Sequence, residues 1–486
     1  MVRRRAWRWR NGGGQGRHRP DVAAAIALSA AEIAAAINGR LVEGDAERYV
    51  TGFSIDSRTL ATGDLFFAIV AGRDGHDFAT AASKRRAAGL VVSRPVTLGE
   101  DNESFVIEVG DTTRALQDLA RHVRRKSEAK VVAITGSAGK TTTKDTIAEL
   151  LDARYRVVKN VGNLNNHLGL PLSLLELRHG AEVAVMELGM NHAGEIRTLV
   201  EIATPEVRVW TNVGEAHIGH FGSADAIAEA KAEILEDSDA ATLLVANADD
   251  PRVMSRVGRF HGRTITFGIS PGADVRAVDV EDLGLDGSRA RLVAGTAACD
   301  LKVPLLGRGH LLNVVCAAAV ALELGVDLQT IATRVAALKP SSRRAAVLRL
   351  PKGVTVIDDS YNSSPSALQR SLDVVARSWG ARRIAVVGEM LELGELSESL
   401  HRDCGRVAAN SRLSKLFTVG GDPARALGEA AIEAGLPAGA VRHFSDSDAA
   451  AAAIAEQVTS GDVVLVKGSR GVRTDVIVER LTTVFG

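Results

Sequence analysis

Residues 131–150 place a short apolar run, a glycine-rich turn and a helical stretch directly after one another. The run VVAIT leads into the turn TGSAGKTTT, and the stretch KDTIAELL follows. A turn of this kind presents backbone N–H groups at the start of a helix, where they bind phosphate oxygens. The segment therefore predicts a strand, a phosphate-binding loop and a helix in that order, which requires an α/β sheet around it.

The loop matches the short pattern TGxxGKT, since Ile134 stands where the general pattern GxxxxGK[ST] has its first glycine. Lys140 would reach the β- and γ-phosphates, and the Thr141 hydroxyl would bind magnesium. ATP is therefore the predicted ligand. The residues predicted to bind it here are Gly136, Ser137, Ala138, Gly139, Lys140, Thr141 and Thr142.

Eight short apolar runs alternate with helical stretches along most of the chain. They begin near residues 131, 183, 207 and 242, and again near 354, 383, 415 and 462. Runs that are apolar on both faces predict parallel sheets covered on both sides by helices. An Ala-rich helix is expected at Asn313–Leu324, between the two sets. The predicted fold class is α/β.

The length of 486 residues suggests about three domains. We predict an N-terminal domain over 21–126, a central ATP-binding domain over 127–338 and a C-terminal domain over 339–486. The first 20 residues carry seven arginines and no acid, which predicts a disordered tail. An Ala-rich helix is expected within residues 23–37.

The charge balance and the cysteines argue against some classes of protein. Without its first 20 residues the chain has seven more acidic than basic residues, which argues against a general nucleic-acid binder. Cys299, Cys316 and Cys404 have no metal-ligand spacing and favour a reducing compartment. Because no apolar run approaches the ~18 residues of a membrane span, we expect a cytoplasmic protein without stable membrane insertion.

Polar residues follow several of the apolar runs, near the edge where open α/β sheets bind ligands. Glu187, Glu215 and His217 could hold a second magnesium or orient water, or they could be ordinary loop residues. By composition alone, Lys231 is typical of a solvated helix lysine.

The last third of the chain has two further segments of this kind. In DDSYN, which ends at Asn362, the paired acids could accept ribose hydroxyls. In KGSRG, Lys467 and Arg470 suit a carboxylate or phosphate. Structural turn residues are the alternative for KGSRG.

Taken in order, these residues resemble the Mur ligase family from about Ala24 to the C-terminus. The segments that carry the resemblance are SIDSRTLATGDLFFAI, TGSAGKTTTKD, GNLNNHLGLPLSLL, ELGMNHAGEI, TNVGEAHIGHFGS, AKAEIL, DDSYNSSP, GEMLELGELSESLH and KGSRG. Two positions depart from the family: Gly309-His310 stand where it usually has His-Asn, and Arg343-Arg344 stand where it has Gly-Arg.

The resemblance implies three domains: one gripping a UDP-sugar, a central P-loop parallel-sheet ATPase and a C-terminal Rossmann-like domain. It implies two magnesium ions and a carbamylated lysine at Lys231. The implied metal ligands are Thr141, Glu187, His217 and Lys231, and the implied catalytic residues are Lys140, Lys231, His217 and Glu187. The implied nucleotide contacts beyond the loop are Asn313, Asp359 and Arg344, with Arg343 as the alternative. The implied substrate contacts are Ser57, Arg58, Asn165, Asn166, Asn362, Lys467 and Arg470.

The resemblance also implies an activity, in which ATP activates the terminal carboxylate of UDP-N-acetylmuramoyl-tripeptide as an acyl phosphate. D-alanyl-D-alanine then attacks it, giving the muramoyl-pentapeptide of peptidoglycan synthesis. The third peptide residue, meso-diaminopimelate or lysine, stays open, and a monomer is expected. Two alternatives remain: a sibling amide ligase with another acceptor, and a P-loop regulatory protein that forms no bond.

Overall fold

The computed structural model describes residues 26–99, 102–216 and 218–486. The predicted tail at 1–20 and the candidate residue His217 lie outside the described residues. The chain forms two compact units. The first contains the described residues up to Ala133 together with Arg154–Met190 and Glu195–Val207, and the second contains Ile134–Ala153, Asn191–Gly194 and Arg208–Gly486.

Strands and helices are distributed along the whole described chain. The strands are β1 (Arg40–Glu43), β2 (Gly52–Ser54), β3 (Asp64–Phe67), β4 (Gly89–Val92), β5 (Phe105–Glu108), β6 (Lys130–Thr135), β7 (Val157–Lys159), β8 (Val183–Glu187), β9 (Val207–Trp210), β10 (Leu243–Asn247), β11 (Arg263–Gly268), β12 (Val275–Asp282), β13 (Ser288–Ala294), β14 (Ala297–Val303), β15 (Ala346–Arg349), β16 (Thr355–Asp359), β17 (Arg383–Gly388), β18 (Lys415–Val419), β19 (Val441–Phe444) and β20 (Val463–Lys467). The helices are α1 (Ala30–Ala36), α2 (Ala79–Lys84), α3 (Thr112–Lys126), α4 (Lys140–Leu151), α5 (Gly169–Leu175), α6 (Glu195–Ala203), α7 (Ile218–Phe221), α8 (Ala224–Ala232), α9 (Pro251–Met254), α10 (Gly307–Glu323), α11 (Leu328–Ala336), α12 (Pro365–Arg377), α13 (Ser397–Ala409), α14 (Asp422–Glu433), α15 (Ser447–Ala455) and α16 (Asp475–Phe485).

The first unit contains a five-stranded sheet in the order β1-β5-β4-β3-β2. Strands β2 to β5 pair in parallel, and β1 pairs antiparallel with β5. Strand β8 pairs in parallel with β7 and is buried along its whole length. The apolar residues of β8 meet protein on both faces, as the sequence predicts for a covered parallel strand.

The second unit contains β9 to β14 side by side in chain order. Strands β10 to β12 pair in parallel, whereas β12, β13 and β14 form an antiparallel extension. A separate six-stranded sheet has the order β15-β16-β20-β17-β18-β19, parallel except for β15. All eight apolar runs form strands, so that prediction is confirmed, but the antiparallel extension was missed.

Two helices begin at residues other than the predicted ones. Helix α1 begins only at Ala30, because Ser29 and Glu32 form a reciprocal capping box that fixes its start. Helix α10 begins at Gly307, six residues before the predicted start. Glycines at 307 and 309 obscured the helical period, although the buried Leu311 already belongs to the apolar face of the helix. Among the described residues, no helix combines the length and apolar character needed to cross a bilayer.

Arg124, near the end of α3, holds several chain segments of the first unit together. Its buried guanidinium donates to the carbonyl oxygens of Ala203 at 2.9 Å and Ala129 at 3.1 Å, and it pairs with the Glu206 carboxylate. Glu206 also accepts from the backbone N–H of Val131 at 2.8 Å. One cation therefore joins the end of α6 to the residue that precedes β6.

We predict that Arg124→Ala lowers the free energy of unfolding by about 3 kcal/mol, because buried carbonyls lose a charged donor. Denaturant unfolding of the purified variant measures this. Arg125→Ala is the matched control, since Arg125 is exposed and its one hydrogen bond among the described residues goes to the Arg121 carbonyl of its own helix. Equal stability of the two variants would contradict the structural role of Arg124.

Candidate active site

The loop between β6 and α4 has glycine at two positions where a side chain would not fit. Gly136 has φ +151°, and a Cβ there would lie 1.9 Å from Thr211 Oγ1. Gly139 has φ +81°, and a Cβ there would lie 2.4 Å from Asn313 Oδ1. Glycine accepts both constraints because it has no Cβ. The loop thus packs tightly and enters α4 in the manner of a phosphate-binding loop.

The segment that follows β9 braces this loop. The Ala138 N–H donates to Asn212 Oδ1 at 2.9 Å, and Asn212 Nδ2 donates to the Ala138 carbonyl at 2.9 Å. The Ser137 hydroxyl donates to the Gly214 carbonyl at 3.1 Å and accepts from the Gly214 N–H at 2.8 Å. Thr211 Oγ1 also donates to the Ala138 carbonyl at 3.0 Å. These bracing residues were not predicted, although TNVG follows an apolar run as a site segment would.

Lys140 lies at the mouth of the loop. Its Nζ donates to the Gly136 carbonyl at 2.8 Å, and the side chain is half-buried. Thr141 is half-buried and Thr142 is buried in the first turn of α4. Asn313 is buried on α10 beside Gly139. The structure therefore brings the predicted loop residues and Asn313 together.

Glu187 ends β8 in the first unit and is buried. Its Oε1 accepts from Asn165 Nδ2 at 2.8 Å. Its backbone N–H donates to Asn160 Oδ1 at 3.0 Å, and Asn160 Nδ2 donates to the Glu187 carbonyl at 3.1 Å. Asn165, predicted as a substrate contact, thus orients the predicted metal ligand, and Asn160 was missed.

The other predicted substrate contacts of the first unit have structural partners. Asn166 Oδ1 accepts from the N–H groups of Leu168 at 3.2 Å and Gly169 at 2.9 Å, at the start of α5. Ser57 is buried, whereas the Arg58 side chain is exposed and pairs with Asp56 at 2.7 Å. Hydrogen bonds from Arg58 lower the pKa of the Asp56 carboxyl to about 2. The substrate roles of these residues stay predictions.

At the ends of β16 and β20, Asp359 and Lys467 form an ion pair. Lys467 Nζ lies 2.6 Å from Asp359 Oδ2 and donates to the Asn362 carbonyl at 3.1 Å. The Ser371 hydroxyl donates to the same Asp359 oxygen at 2.8 Å. Lys467 is 3% exposed, so its charge is balanced inside the protein. Asp359, predicted to contact the ribose, and Lys467, predicted to contact the dipeptide, therefore bind each other.

The two adjacent arginines have different partners. Arg343 pairs with Asp475 at 2.8 Å and with Glu479 at 3.6 Å, both on α16. The Arg344 guanidinium lies 4.2 Å from the ring centroid of Tyr361, a cation–π distance. Both arginines therefore lie beside the DDSYN segment: the Arg343 carbonyl accepts from the Tyr361 N–H at 3.1 Å, whereas the Arg344 guanidinium lies over the Tyr361 ring.

Arg470 follows the buried Ser469 after β20 and is exposed. Within the part of the chain that the structure describes, its guanidinium has no hydrogen bond or ion pair. The side chain of Asn362 is also exposed, and its Oδ1 accepts from the Ser363 N–H at 2.9 Å. Arg470 is thus a cation available at the strand end.

Lys231 lies on α8 and is only 2% exposed, so its interpretation as a solvated helix lysine is wrong. The adjacent Glu233 is buried as well, and its Oε1 accepts from the Gly194 N–H at 2.6 Å. Across residues 26–99, 102–216 and 218–486, no three His, Cys, Asp or Glu side chains cluster to hold a metal. The predicted metal ligands at Thr141, Glu187 and Lys231 stay predictions.

Two features define the class of protein: a braced phosphate loop and a second parallel sheet with charged strand ends. The class is a P-loop α/β nucleotide-binding protein. The family model of the Mur ligase middle domain matches residues 134–321, and that of the Mur ligase glutamate ligase domain matches residues 343–470. The chain belongs to the Mur ligase family.

Relatives and solved structures agree along most of the chain. UDP-N-acetylmuramoyl-tripeptide--D-alanyl-D-alanine ligase of Bacillus subtilis is 32% identical over 92% of this chain and 97% of its own. A crystal structure of MurF from Acinetobacter baumannii has a TM-score of 0.85 and 29% identity, covering 95% of this chain and 100% of that one. MurF ligase from Thermotoga maritima in complex with ADP has a TM-score of 0.78 and 32% identity, covering 90% and 98%.

These matches confirm the three-domain α/β architecture that the resemblance implied. The exact boundaries at 21, 127 and 339 stay predictions, because the compact units divide the chain at other positions.

His401 on α13 is a fully buried imidazole in the second unit. Its Nε2 accepts from the Met390 N–H at 2.9 Å, and its Nδ1 lies 2.7 Å from the Ser397 carbonyl. Burial lowers its pKa. The neutral ring therefore fixes the loop after β17, where the Leu391 N–H donates to the Ser469 hydroxyl at 2.9 Å.

We predict that His401 makes the protein less stable in acid. Its folded pKa lies below the unfolded value near 6.5, so the unfolded chain binds more protons and stability falls as the pH drops through 6.5. Denaturant unfolding at pH 7.5 and 5.5 should show a smaller loss in His401→Gln than in the wild type. The exposed His261→Gln should keep the wild-type loss, and an unchanged loss in His401→Gln would contradict the prediction.

Proposed function

We propose that this protein joins D-alanyl-D-alanine to UDP-N-acetylmuramoyl-tripeptide at the expense of ATP, in peptidoglycan synthesis. The observation that carries the proposal is the braced phosphate loop, Gly136 to Thr142, in a chain that matches ligases of this name over nearly their full length. We also propose that the protein is a monomer and acts in the cytoplasm.

The reaction needs ATP because a carboxylate in water is a poor electrophile. The terminal tripeptide carboxylate attacks the γ-phosphorus, and the bond to ADP breaks. The dipeptide amine then attacks the acyl carbon, loses a proton and expels inorganic phosphate. The protein has to hold the reactants in line and keep water from the acyl phosphate.

The phosphate loop performs the first task. When ATP binds, Lys140 Nζ would give up its hydrogen bond to the Gly136 carbonyl and donate to phosphate oxygens instead. Its charge would then stabilise the transition state. Magnesium, when bound, would neutralise phosphate charge. The Thr141 hydroxyl and the Glu187 carboxylate are the hard oxygen donors that this ion prefers, and few protein ligands suffice when phosphates complete the set.

Lys231 and His217 complete the proposed metal and catalytic set. Lys231 is only 2% exposed, so a carbamate formed on its amine with carbon dioxide would lie inside the protein. Carbamylation of Lys231 supplies a carboxylate-like ligand in this proposal.

For the nucleotide base and ribose we propose Asn313, Arg344 and Asp359. Asn313 lies against Gly139 of the loop, and Arg344 lies beside Tyr361. Arg343 is engaged by α16, which favours Arg344 as the base contact.

For the acceptor we propose Arg470. It is exposed, and its fork-shaped guanidinium suits a dipeptide carboxylate. Lys467 is buried against Asp359 and acts by holding that carboxylate in place.

We predict that purified protein, given ATP and both substrates, yields one amide, one ADP and one phosphate per turnover, measured by mass spectrometry. Lys140→Ala should lower the rate by about 100-fold or more. The control is Lys130→Ala, which removes an exposed lysine at the other end of β6.

Two outcomes would contradict this proposal. Phosphate release without a new amide would favour a regulatory P-loop protein. A product with another acceptor in place of D-alanyl-D-alanine, from a panel of D-amino acids and dipeptides, would favour a sibling ligase.

We predict that Arg470→Lys raises KM for D-alanyl-D-alanine by roughly 10-fold, because a point charge cannot reproduce a two-pronged contact. KM for ATP should change little, and steady-state kinetics separates the two constants. Arg473→Lys on the same turn is the control. A rise confined to KM for ATP would reassign Arg470 to the nucleotide.

A further inference from the structure

Arg370, on α12, lies against the first turn of α10. A Cβ built on Gly309 would lie 3.4 Å from Arg370 Cδ and 3.6 Å from its Nε. A side chain longer than a methyl group at position 309 would therefore occupy the space of the guanidinium. Gly309 is the first residue of the Gly309-His310 pair, which stands where the family usually has His-Asn, and its lack of a side chain leaves this space open.

The surroundings of Arg370 are ionic. Desolvation lowers its pKa even though the side chain is exposed, and the carboxylates of Glu215 and Asp359 oppose that change. Burial lowers the pKa of His310, and the positive charges of Arg370 and Lys467 lower it further. Arg370 thus belongs to the same charged neighbourhood as the Asp359–Lys467 pair.

Arg370 has no partner in this neighbourhood. Throughout the described segments 26–99, 102–216 and 218–486, its guanidinium makes no hydrogen bond or ion pair. The buried Oε2 of Glu215 likewise has no hydrogen-bond partner. A buried oxygen without a partner is unusual, and an exposed guanidinium that no internal group engages is available to bind a ligand in this neighbourhood.

The neighbourhood continues the nucleotide site. His310 lies one turn before Asn313 on α10, and Asn313 contacts Gly139 of the phosphate loop. Asp359, the proposed ribose contact, interacts electrostatically with both His310 and Arg370. A Cβ built on Gly214, which braces Ser137 of the loop, would lie 3.1 Å from Ser366 Oγ on α12, so the helix that carries Arg370 also lies beside the phosphate loop.

We propose that Arg370 binds the ribose-phosphate part of ATP, through the space that Gly309 leaves open. This rests on the proposed ATP-dependent function. A guanidinium provides several fixed N–H donors that match phosphate oxygens and ribose hydroxyls. With Lys140 at the phosphate loop, Arg370 supplies a second cation for the nucleotide from helix α12.

The test compares Arg370→Ala and Arg370→Lys with Arg377→Ala on the same helix. Arg377 is an exposed control whose ion partner is Asp282. Arg370→Ala should raise both KM for ATP and Kd for ADP about 10-fold, with a smaller rise in Arg370→Lys. KM for D-alanyl-D-alanine and the thermal midpoint should stay at the wild-type values, because Arg370 has no internal partner to lose.

Position 309 provides an independent route to the same site. Gly309→Ala places a methyl group at ordinary contact distance from Arg370 and should bind ADP like the wild type. Gly309→Leu should displace the guanidinium and weaken ADP binding as much as Arg370→Ala does. Combining Gly309→Leu with Arg370→Ala should add no further loss.

Unchanged ADP binding in Arg370→Ala would overturn the proposal. So would equal losses of thermal stability in Arg370→Ala and Glu215→Gln with normal KM for ATP, since that result describes an internal ion pair. ADP binding is measured without turnover. It therefore tests Arg370 separately from the proposed ligation, which fails only if the wild type forms no amide.

Discussion

The close packing of the phosphate loop against its neighbours is the constraint on which the rest of the second unit depends. Thr211 lies so close to Gly136, and Asn313 so close to Gly139, that a Cβ atom at either glycine would overlap with them. Asn212 completes the arrangement by pairing with Ala138 in both directions. These contacts hold the segment after β9 and helix α10 beside the loop.

The buried ion pair of Asp359 and Lys467 has a similar place in the C-terminal sheet. Strands β16 and β20 are neighbours, so their last residues meet at one edge. Removing Asp359 would leave the Lys467 charge buried without its carboxylate, which is costly. The pair thereby fixes the carboxylate proposed for ribose, and Arg470 and Arg370 are nearby cations without internal partners among the described residues.

Much of the fold and part of the site could be predicted because their signals are local in sequence. The runs that became β6, β8 and β20 are apolar on consecutive residues, and the loop from Gly136 to Thr142 is contiguous. The antiparallel extension at 275–303 was missed because its strands alternate between buried and exposed residues. Lys231 was misjudged from composition, since only the packing around α8 makes it buried.

The sequence by itself determined the α/β class, the phosphate loop and the residues available at each strand end. Only the tertiary structure decided which of those residues meet. Asn212 reaches Ala138 across 74 positions of chain, and Lys467 reaches Asp359 across 108. It also separated Arg343, held by α16, from Arg344, stacked on Tyr361. The physical reason is that motifs encode backbone conformation over a few residues, whereas ion pairs and close packing depend on how distant segments are brought together.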